Sequence, residues 1–264
     1  KEKEAINKMY WLQWVKNEQG QAEKELLKRF RSYLDSAKKR YANRIKKYVI
    51  DKGFIKDNDR LEAIEEEMND MDLIVGTTWL TYWNLTGNKQ FDQLFEKAKK
   101  EKPQDFSFGG RDYAKQIWMI DRKNIARSTA QSIAFFIQRG LENGLSTDNI
   151  AKTLLEDDTS GIFTLQRAKR ISRTEATRVV NAATNEVYNQ AQNYGIQVMK
   201  RWLSARDQSV RSSHVALDGQ TVGANEQFKL PPTFGGYEAT EPGSFPVVGE
   251  NVNCRCTMIP IIID

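Results

Sequence analysis

The sequence predicts an α+β protein with a predominantly α-helical N-terminal part, residues 1–160, followed by a small α+β C-terminal module, residues 161–264. Apolar residues recur at three- and four-residue steps through the first part, which is the period of amphipathic helices. After Gly195 the pattern changes to short alternating runs separated by glycine and proline, which are typical of strands and turns. With 264 residues, 39% of them hydrophobic, the chain can form one large or two modest cores.

Six helices are predicted in the first part. A short helix with an aromatic group at Tyr10, Trp11 and Trp14 is expected to end at Gly20, because glycine commonly terminates helices. The aromatic group is expected to serve as core or as a docking surface for a partner. The other five helices are predicted at residues 21–50, 59–85, 89–102, 111–143 and 146–156.

The helix at 21–50 has a regular apolar stripe, and its basic residues at 38–40, 44 and 46–47 are expected on the outer, solvated face. The helix at 59–85 begins with acidic residues, which the helix dipole favours. It ends with a second aromatic group, expected to make a contact. The apolar stripe at 21–50 includes Leu26, Phe30, Tyr33, Leu34, Ala37, Tyr41 and Ile45, and the second aromatic group is Trp79, Tyr82 and Trp83.

A further helix is predicted from Thr164 to Tyr194, with Gly195 as its stop. Between residues 165 and 211 the chain has nine Lys/Arg and three Asp/Glu, a local charge of +6. Such a segment attracts nucleic acid by neutralising phosphates, and a solvated structural face is the competing interpretation. The candidate nucleic-acid contacts are Arg167, Arg170, Arg173 and Arg178.

The C-terminal module is predicted to begin with a strand at Gln197–Leu203, where apolar and polar residues alternate. A helix is expected to follow from Asp207, a favourable N-cap, to Gly219, a favourable stop. Further strands are predicted at Gln220–Val222, Gln227–Leu230 and Cys256–Ile263.

The chain has two cysteines, Cys254 and Cys256, and one histidine, His214. On an extended backbone an i, i+2 pair places both sulfurs on one face, and such a pair is poorly suited to a disulfide with itself. On the predicted helix, Asp207 and His214 share a face. If the two segments pack together, two thiolates, an imidazole and a carboxylate converge, a ligand set suited to structural zinc. The competing interpretation is a hydrogen-bonded motif with two small buried cysteines.

The C-terminal module carries a family resemblance, which depends on several elements that occur in order. From residue 165 to residue 264 the chain resembles the C-terminal domain of the Mu F-like head morphogenesis proteins, which are minor head proteins of tailed bacteriophages. Four of the matching positions, Arg211, Asp218, Gly219 and Asn253, are taken as its structural motif. The residues that carry the resemblance are Arg170-Ile171-Ser172-Arg173-Thr174-Glu175, Asn181, Trp202, Asp207, Arg211, His214, Leu217-Asp218-Gly219, Phe228, Pro246 and Asn253-Cys254-Arg255-Cys256.

The resemblance implies a protein held inside the virion head near the portal vertex, in a few copies. Its implied partners are the portal protein, the capsid interior or scaffold, and packaged double-stranded DNA. The implied role is head morphogenesis with DNA packaging or delivery, without catalysis. The local charge of +6 suits a protein that is enclosed with DNA.

The alternative function is that of an enzyme delivered with the genome, a hydrolase or nuclease. In it His214 acts as general base and Asp207 or Asp218 orients it. The sequence has no Gly-x-Ser-x-Gly, His-Glu-x-x-His or phosphate-loop pattern in support. No apolar run reaches the roughly 20 residues of a membrane-spanning helix. The low cysteine content predicts a reduced protein, made in the host bacterial cytoplasm.

Overall fold

The computed structural model describes residues 2–47, 50–51, 54–104, 107–156 and 160–263, and for residues 2–8, 10–12, 14–15, 50–51 and 54–55 it describes the backbone alone. By its internal contacts the chain divides into two units. The sheet-bearing unit comprises residues 1–26, 79–114 and 170–264, and the helical unit comprises residues 27–78 and 115–169. The units therefore interleave along the chain, whereas the sequence predicts a single boundary near residue 160.

The fold class is α+β with a helical N-terminal region, as predicted. The helices of the described residues are α1 (Glu2–Ile45), α2 (Asp57–Met71), α3 (Thr77–Lys97), α4 (Arg111–Glu142), α5 (Thr147–Glu156), α6 (Leu165–Ala191), α7 (Ser212–Leu217) and α8 (Val248–Asn251). The strands are β1 (Ile50–Asp51), β2 (Phe54–Ile55), β3 (Gln197–Leu203), β4 (Thr221–Gly223), β5 (Phe228–Lys229), β6 (Glu238–Ala239) and β7 (Thr257–Ile263). None of the helices in the described ranges is both long and apolar enough to cross a bilayer.

Helix α1 continues through Gly20, where the sequence predicts a break. Gly20 is exposed, and a side chain there would meet no other atom within 4 Å. A glycine inside a helix costs only about 1 kcal/mol, which the helical residues on both sides outweigh. The predicted aromatic group at Tyr10, Trp11 and Trp14 has its side chains outside the described residues. The predicted apolar stripe is buried at Leu26, Phe30, Tyr33, Leu34, Ala37, Tyr41 and Ile45.

Helical structure runs without interruption from α2 to the end of α3, because a π-helical turn at Asp72–Gly76 joins the two helices. The break predicted between residues 85 and 89 does not occur. A β-carbon at Gly87 would lie 2.1 Å from the Phe108 ring, so this glycine permits close packing instead of ending the helix. Trp79 and Trp83 are fully buried and stacked, with ring centroids 6.3 Å apart. They therefore form core and not an exposed contact surface.

Local signals predict the next helices well. Gly144 follows α4 with a φ of 75°, and Gly195 follows α6 and its final 3-10 turn with a φ of 70°, both in the left-handed region that glycine tolerates. Ser146 Oγ accepts a hydrogen bond of 3.3 Å from the backbone N–H of Asn149 and so caps α5. The predicted helices at 111–143, 146–156 and 164–194 are confirmed with shifts of a few residues.

The sheet-bearing unit contains a three-stranded antiparallel sheet in the order β4-β3-β7. Strand β3 is central, and Trp202, on this strand, pairs with Met258 of β7 and is fully buried. Strands β5 and β6 form a separate antiparallel pair, of which the sequence predicts only β5. The unit's core gathers aromatic and aliphatic side chains around Trp202, Phe228 and Phe245. This core surrounds the candidate site.

The helical unit contains a buried carboxylate. Glu67 of α2 is 0% exposed, and the Arg40 guanidinium of α1 holds it with two hydrogen bonds of 2.9 and 2.7 Å. Arg40 also contacts Asp70 at 2.8 Å. Arg44 forms a further ion pair with Glu66. One side of α1 is thus bound to the acidic residues of α2.

Candidate metal centre

Three side chains from two separate segments meet inside the sheet-bearing unit. They are His214 of α7, and Cys254 and Cys256 of the segment between α8 and β7. His214 Nδ1 lies 3.6 Å from Cys254 Sγ and 3.4 Å from Cys256 Sγ. Each of the three residues is exposed by 2% or less. The packing of these segments therefore brings the imidazole and both sulfurs together in the interior.

Glu250 of α8 contacts the other side of the imidazole. Its Oε2 lies 3.1 Å from His214 Nε2 and accepts a hydrogen bond of 2.8 Å from Ser213 Oγ. The rings of Trp202 and Phe245 enclose the imidazole, with centroid separations of 5.5 and 5.9 Å. A carboxylate beside Nε2 favours the proton on that nitrogen, which leaves the lone pair of Nδ1 directed at the sulfurs.

The two thiols have unequal acidities. A hydrogen bond from Cys256 lowers the pKa of the Cys254 thiol, helped by the Cys256 backbone N–H at 3.4 Å and by the charge of Arg211. The same thiol–thiol hydrogen bond, together with burial, raises the pKa of Cys256. The hydrogen bond between the two thiols therefore shifts their pKa values in opposite directions.

Polar side chains of α6 fix the backbone that carries both sulfurs. Thr177 Oγ1 donates a hydrogen bond of 2.6 Å to the Cys254 carbonyl, and Asn181 Nδ2 donates one of 3.1 Å to the Cys256 carbonyl. Asn181 Oδ1 also accepts from Thr257 Oγ1 at 3.1 Å. Positions 177 and 181 lie one turn apart on the same face of the helix. This buried polar face of α6 therefore sets the position of the two cysteines.

Asp207, the carboxylate predicted beside His214, lies elsewhere. It is exposed and makes two hydrogen bonds of 2.6 and 2.7 Å to the Arg255 guanidinium. The predicted helix from 207 to 219 is shorter, because α7 begins only at Ser212, and residue 206 has a φ of 54° that breaks a helix before it. His214 and Asp207 therefore do not share a helical face, and Asp207 is not a member of the His214, Cys254 and Cys256 group.

The four residues of the predicted structural motif all lie in turns or cap positions of this unit. Arg211 donates to the Val252 carbonyl. Asp218 Oδ1 accepts the backbone N–H of Ser204 at 2.9 Å. Gly219 and Asn253 have φ values of 86° and 58°, a region that favours glycine and tolerates asparagine. Their contacts connect the segments on either side of the site.

The four arginines predicted to contact nucleic acid differ in their surroundings. Arg167 is buried in the helical unit, where it bonds the Ile162 carbonyl and Thr129 Oγ1, both at 2.8 Å. In the sheet-bearing unit, Arg173 pairs with Glu23 at 3.1 Å and Arg178 donates to the Gly243 carbonyl. Arg170 is exposed. Three of these guanidiniums thus have roles within the protein.

Two features of the site are missing from the sequence prediction. The first is Glu250, which precedes Cys254 by four residues. Its closeness to the Cys-x-Cys pair is a sequence signal that could have identified it as a neighbour of the site. The inward direction of Thr177 and Asn181 leaves no such signal, because their face of α6 has the polar composition of a solvated surface.

Further along α6, Asn185 accepts a hydrogen bond of 2.8 Å from the Lys200 ammonium, which is 0% exposed. Burial lowers the pKa of Lys200 to about 8, and the nearby carboxylates of Glu241 and Glu226 oppose this shift. The unfolded chain keeps the proton up to the ordinary lysine pKa of about 10.4. At pH values between these two pKa values the unfolded chain binds more protons than the folded chain. The free energy of unfolding therefore rises with pH in this range because of Lys200.

We expect the variant Lys200→Met to lose this contribution. Its free energy of unfolding, measured in denaturant at about pH 7.5 and about pH 9.5, should gain less with pH than that of the natural chain. Lys229→Met, at a lysine that is 62% exposed, is the matched control and should keep the natural pH dependence. Equal pH slopes for the natural chain and Lys200→Met would contradict the prediction.

The segment that builds this site is similar to a family of phage proteins. Residues 131–259 match the family described as phage Mu protein F like protein, so the family resemblance predicted from the sequence is confirmed. The match begins at residue 131, inside α4, and therefore includes helices that precede the predicted start at residue 165.

Three curated proteins are similar to this chain. Identity is 37% over 133 residues with the NAD(+)–arginine ADP-ribosyltransferase EFV of Enterococcus faecalis, 30% over 131 residues with the minor head protein GP7 of Bacillus phage SPP1, and 27% over 158 residues with the protein YqbB of Bacillus subtilis. The matches cover 50%, 50% and 58% of this chain, and 26%, 40% and 47% of those proteins, respectively. The chain thus spans less than half the length of each relative. No solved structure matches it.

Proposed function

We propose that the protein is a minor head protein of a tailed bacteriophage, located inside the virion head near the portal, where it acts in head morphogenesis and in the packaging or delivery of DNA. The observation that carries this proposal is the Mu F-like match over residues 131–259, together with the similarity to the minor head protein of phage SPP1. The family match, which ends at residue 259, includes the segment between α6 and β7 that holds the candidate metal centre.

A catalytic role for His214 has little support. Its ring is 1% exposed, both of its nitrogens face protein groups, and aromatic rings enclose it. A general base must reach a substrate proton within hydrogen-bond distance. The similarity to an ADP-ribosyltransferase covers only 26% of that protein. We therefore propose that the Mu F-like segment acts as a structural module, which a larger protein can carry beside an enzyme.

Contact with packaged DNA is part of the proposal, and the basic side of α1 is the surface best suited to it. Residues 28–47 contain nine Lys/Arg and one Asp. Arg40 and Arg44 pair with carboxylates of α2, and the side chains of Lys28, Lys39 and Lys46 are exposed to solvent. Positions 28 and 39 are about three helical turns apart, so they form a line of roughly 17 Å along α1 that Lys46, in the turn just after Ile45, extends. Such a line can follow a phosphate backbone.

Docking to the portal or to the capsid interior is also proposed. Three apolar side chains of α4 support it: Met119, Ile120 and Phe135 are exposed by 49%, 54% and 61%. Exposed aromatic and aliphatic side chains of this kind are common anchors of protein interfaces. Positions 120 and 135 are about 60° apart around α4 and can face one partner, whereas position 119 is turned about 160° from position 135.

The location in the head can be tested on particles of the phage or prophage that encodes the chain. Quantitative mass spectrometry of purified heads and of complete virions should find the protein at a few copies per particle. A deletion of its gene should lower the yield of DNA-filled heads, and expression of the chain in trans should restore it. Heads that lack the protein, or a deletion without effect on filled heads, would contradict the proposed function.

DNA contact can be tested by fluorescence anisotropy with a double-stranded oligonucleotide over a series of salt concentrations. We expect affinity to fall with salt, and the double variant Lys39→Gln/Lys46→Gln to reduce the slope of log K against log salt by about 2, since each lost phosphate contact removes about 0.9. Lys152→Gln, at an exposed lysine of α5, is the matched control and should behave like the natural chain. Binding that does not depend on salt, or equal slopes for all three proteins, would contradict this surface.

A further inference from the structure

We propose that His214, Cys254 and Cys256 bind one structural zinc ion through Nδ1 and both Sγ atoms, and that Glu250 is a positioning residue that holds the imidazole from Nε2. The site goes beyond the head function proposed above and does not depend on it. The proposal replaces Asp207 of the sequence prediction by Glu250, which acts through the histidine and does not touch the metal.

The separations of the three donor atoms fit a zinc ion. Zinc lies about 2.0 to 2.1 Å from a histidine nitrogen and about 2.3 Å from a cysteine sulfur, so the tetrahedral angle places nitrogen and sulfur about 3.6 Å apart. The observed distances from His214 Nδ1 to the two sulfurs are 3.6 and 3.4 Å. A ligand set of one imidazole and two thiolates in tetrahedral geometry selects zinc over the metals that prefer oxygen ligands.

Hydrogen bonding alone can join the three groups only as a chain, in which the Cys256 thiol donates to Cys254 Sγ and one thiol donates to His214 Nδ1. With its proton on Nε2, His214 has a single lone pair at Nδ1, yet both sulfurs lie within 3.6 Å of that atom. The lone pair can accept a proton from only one thiol. A zinc ion satisfies the nitrogen and both sulfurs at once, because all three are then ligands and neither thiol requires an acceptor.

The surroundings have the features of a second coordination sphere. Histidines that bind zinc commonly donate their other ring N–H to a carboxylate, which orients the ring. Glu250 Oε2 lies 3.1 Å from His214 Nε2, within reach of that N–H, although the two groups are not aligned as a hydrogen bond. Ser213 Oγ holds that carboxylate with a hydrogen bond of 2.8 Å. The backbone N–H of Cys256 donates a hydrogen bond to Cys254 Sγ at 3.4 Å and so fixes the position of that sulfur.

Zinc at this position would tie helix α7 to the segment between α8 and β7, in a unit built partly of very short elements. Helices α7 and α8 have only 6 and 4 residues, and strands β5 and β6 have 2 each. Elements of this size provide little stability of their own, and metal binding to folded protein adds directly to the free energy of folding. The three protein ligands are one fewer than the four of a closed structural zinc site, so a water molecule would complete the tetrahedron.

The first experiment measures metal in the full chain, purified without a histidine tag and without chelators. Inductively coupled plasma mass spectrometry should find roughly one zinc per chain. Removal of zinc by a chelator should lower the melting temperature, and zinc, but not magnesium, should restore it. Cobalt(II) added to the stripped protein should give the visible absorption of a tetrahedral cobalt–thiolate centre, a readout that needs no substitution and so is independent of whether variants fold.

The second experiment assigns the ligands by competition with a chromophoric zinc chelator. Cys254→Ser, Cys256→Ser and His214→Gln should each lose zinc, whereas Glu250→Gln should keep it with an affinity lower by about 10- to 100-fold. Asp207→Asn is the matched control and should bind zinc like the natural chain. Natural protein that takes up no zinc or cobalt would overturn the site. Zinc retained by all three ligand variants, or lost in Asp207→Asn, would overturn the ligand assignment.

Discussion

Asn181→Ala is expected to lower the free energy of unfolding by about 2 to 4 kcal/mol, because one buried side chain holds several polar groups that have no access to water. The Asn181 amide donates to the carbonyls of Thr177 and Cys256 and accepts from the Thr257 hydroxyl. Alanine leaves the Thr257 hydroxyl and the Cys256 carbonyl without these partners, and it leaves a small void between α6 and β7.

Chemical denaturation followed by tryptophan fluorescence provides the measurement for Asn181→Ala. Asn193→Ala, at an exposed asparagine just beyond α6, is the matched control and should change the free energy of unfolding by less than about 0.5 kcal/mol. If both substitutions had the same small effect, the polar face of α6 could not be what fixes the cysteine segment.

Arg40→Met is expected to destabilise the helical unit by about 3 to 5 kcal/mol, because it leaves a fully buried carboxylate without its cation. Glu67 is 0% exposed, and both of its oxygens bond the Arg40 guanidinium. Methionine keeps much of the aliphatic packing of the arginine stem, so the effect reports mainly the lost charge pair. Lys39→Met changes the exposed neighbour on the same helix and should have little effect.

A double variant separates the charge from the packing. Arg40→Met/Glu67→Met removes both charges, and we expect it to recover much of the stability lost in Arg40→Met, since an apolar pair of similar volume can replace a buried ion pair. Thermal unfolding of the four proteins measures the coupling. The four proteins are the natural chain, Arg40→Met, Glu67→Met and the double variant. If the double variant lost more stability than the two single variants lose together, an uncompensated charge could not be the cause.

The sequence predicts those parts of the fold that short-range chemistry determines. The stops at Gly144 and Gly195 and the cap at Ser146 each depend on a few neighbouring residues, and they are found where expected. The helix end predicted at Gly20 is wrong, because a single weak helix former does not end a helix when the residues on both sides favour it. The break predicted near Gly87 is wrong, because this glycine is needed for close packing against the Phe108 ring, 21 positions further along the chain.

The candidate site could be predicted only in part, for the same reason. The Cys-x-Cys pair and the lone histidine stand out by their rarity, which is enough to pair the segments that carry them. The choice of carboxylate depends on three-dimensional packing. Arg255 holds Asp207 at the surface, and the short helix α8 places Glu250 against the imidazole. A polar helical face has the same sequence pattern whether it contacts water or the backbone of another segment. The face of α6 at Asn181 is of the second kind.

The hydrogen bond from Gln19 to the carbonyl of Cys256 joins residues 237 positions apart, and strand β3 finds its partner β7 only after more than fifty further residues. During synthesis α1 therefore cannot form its contact with the Cys256 carbonyl until the segment before β7 has been translated. Contacts this distant in sequence make folding slow and expose apolar surface in the meantime. The sheet-bearing unit can therefore complete its sheet only after β7 has been translated.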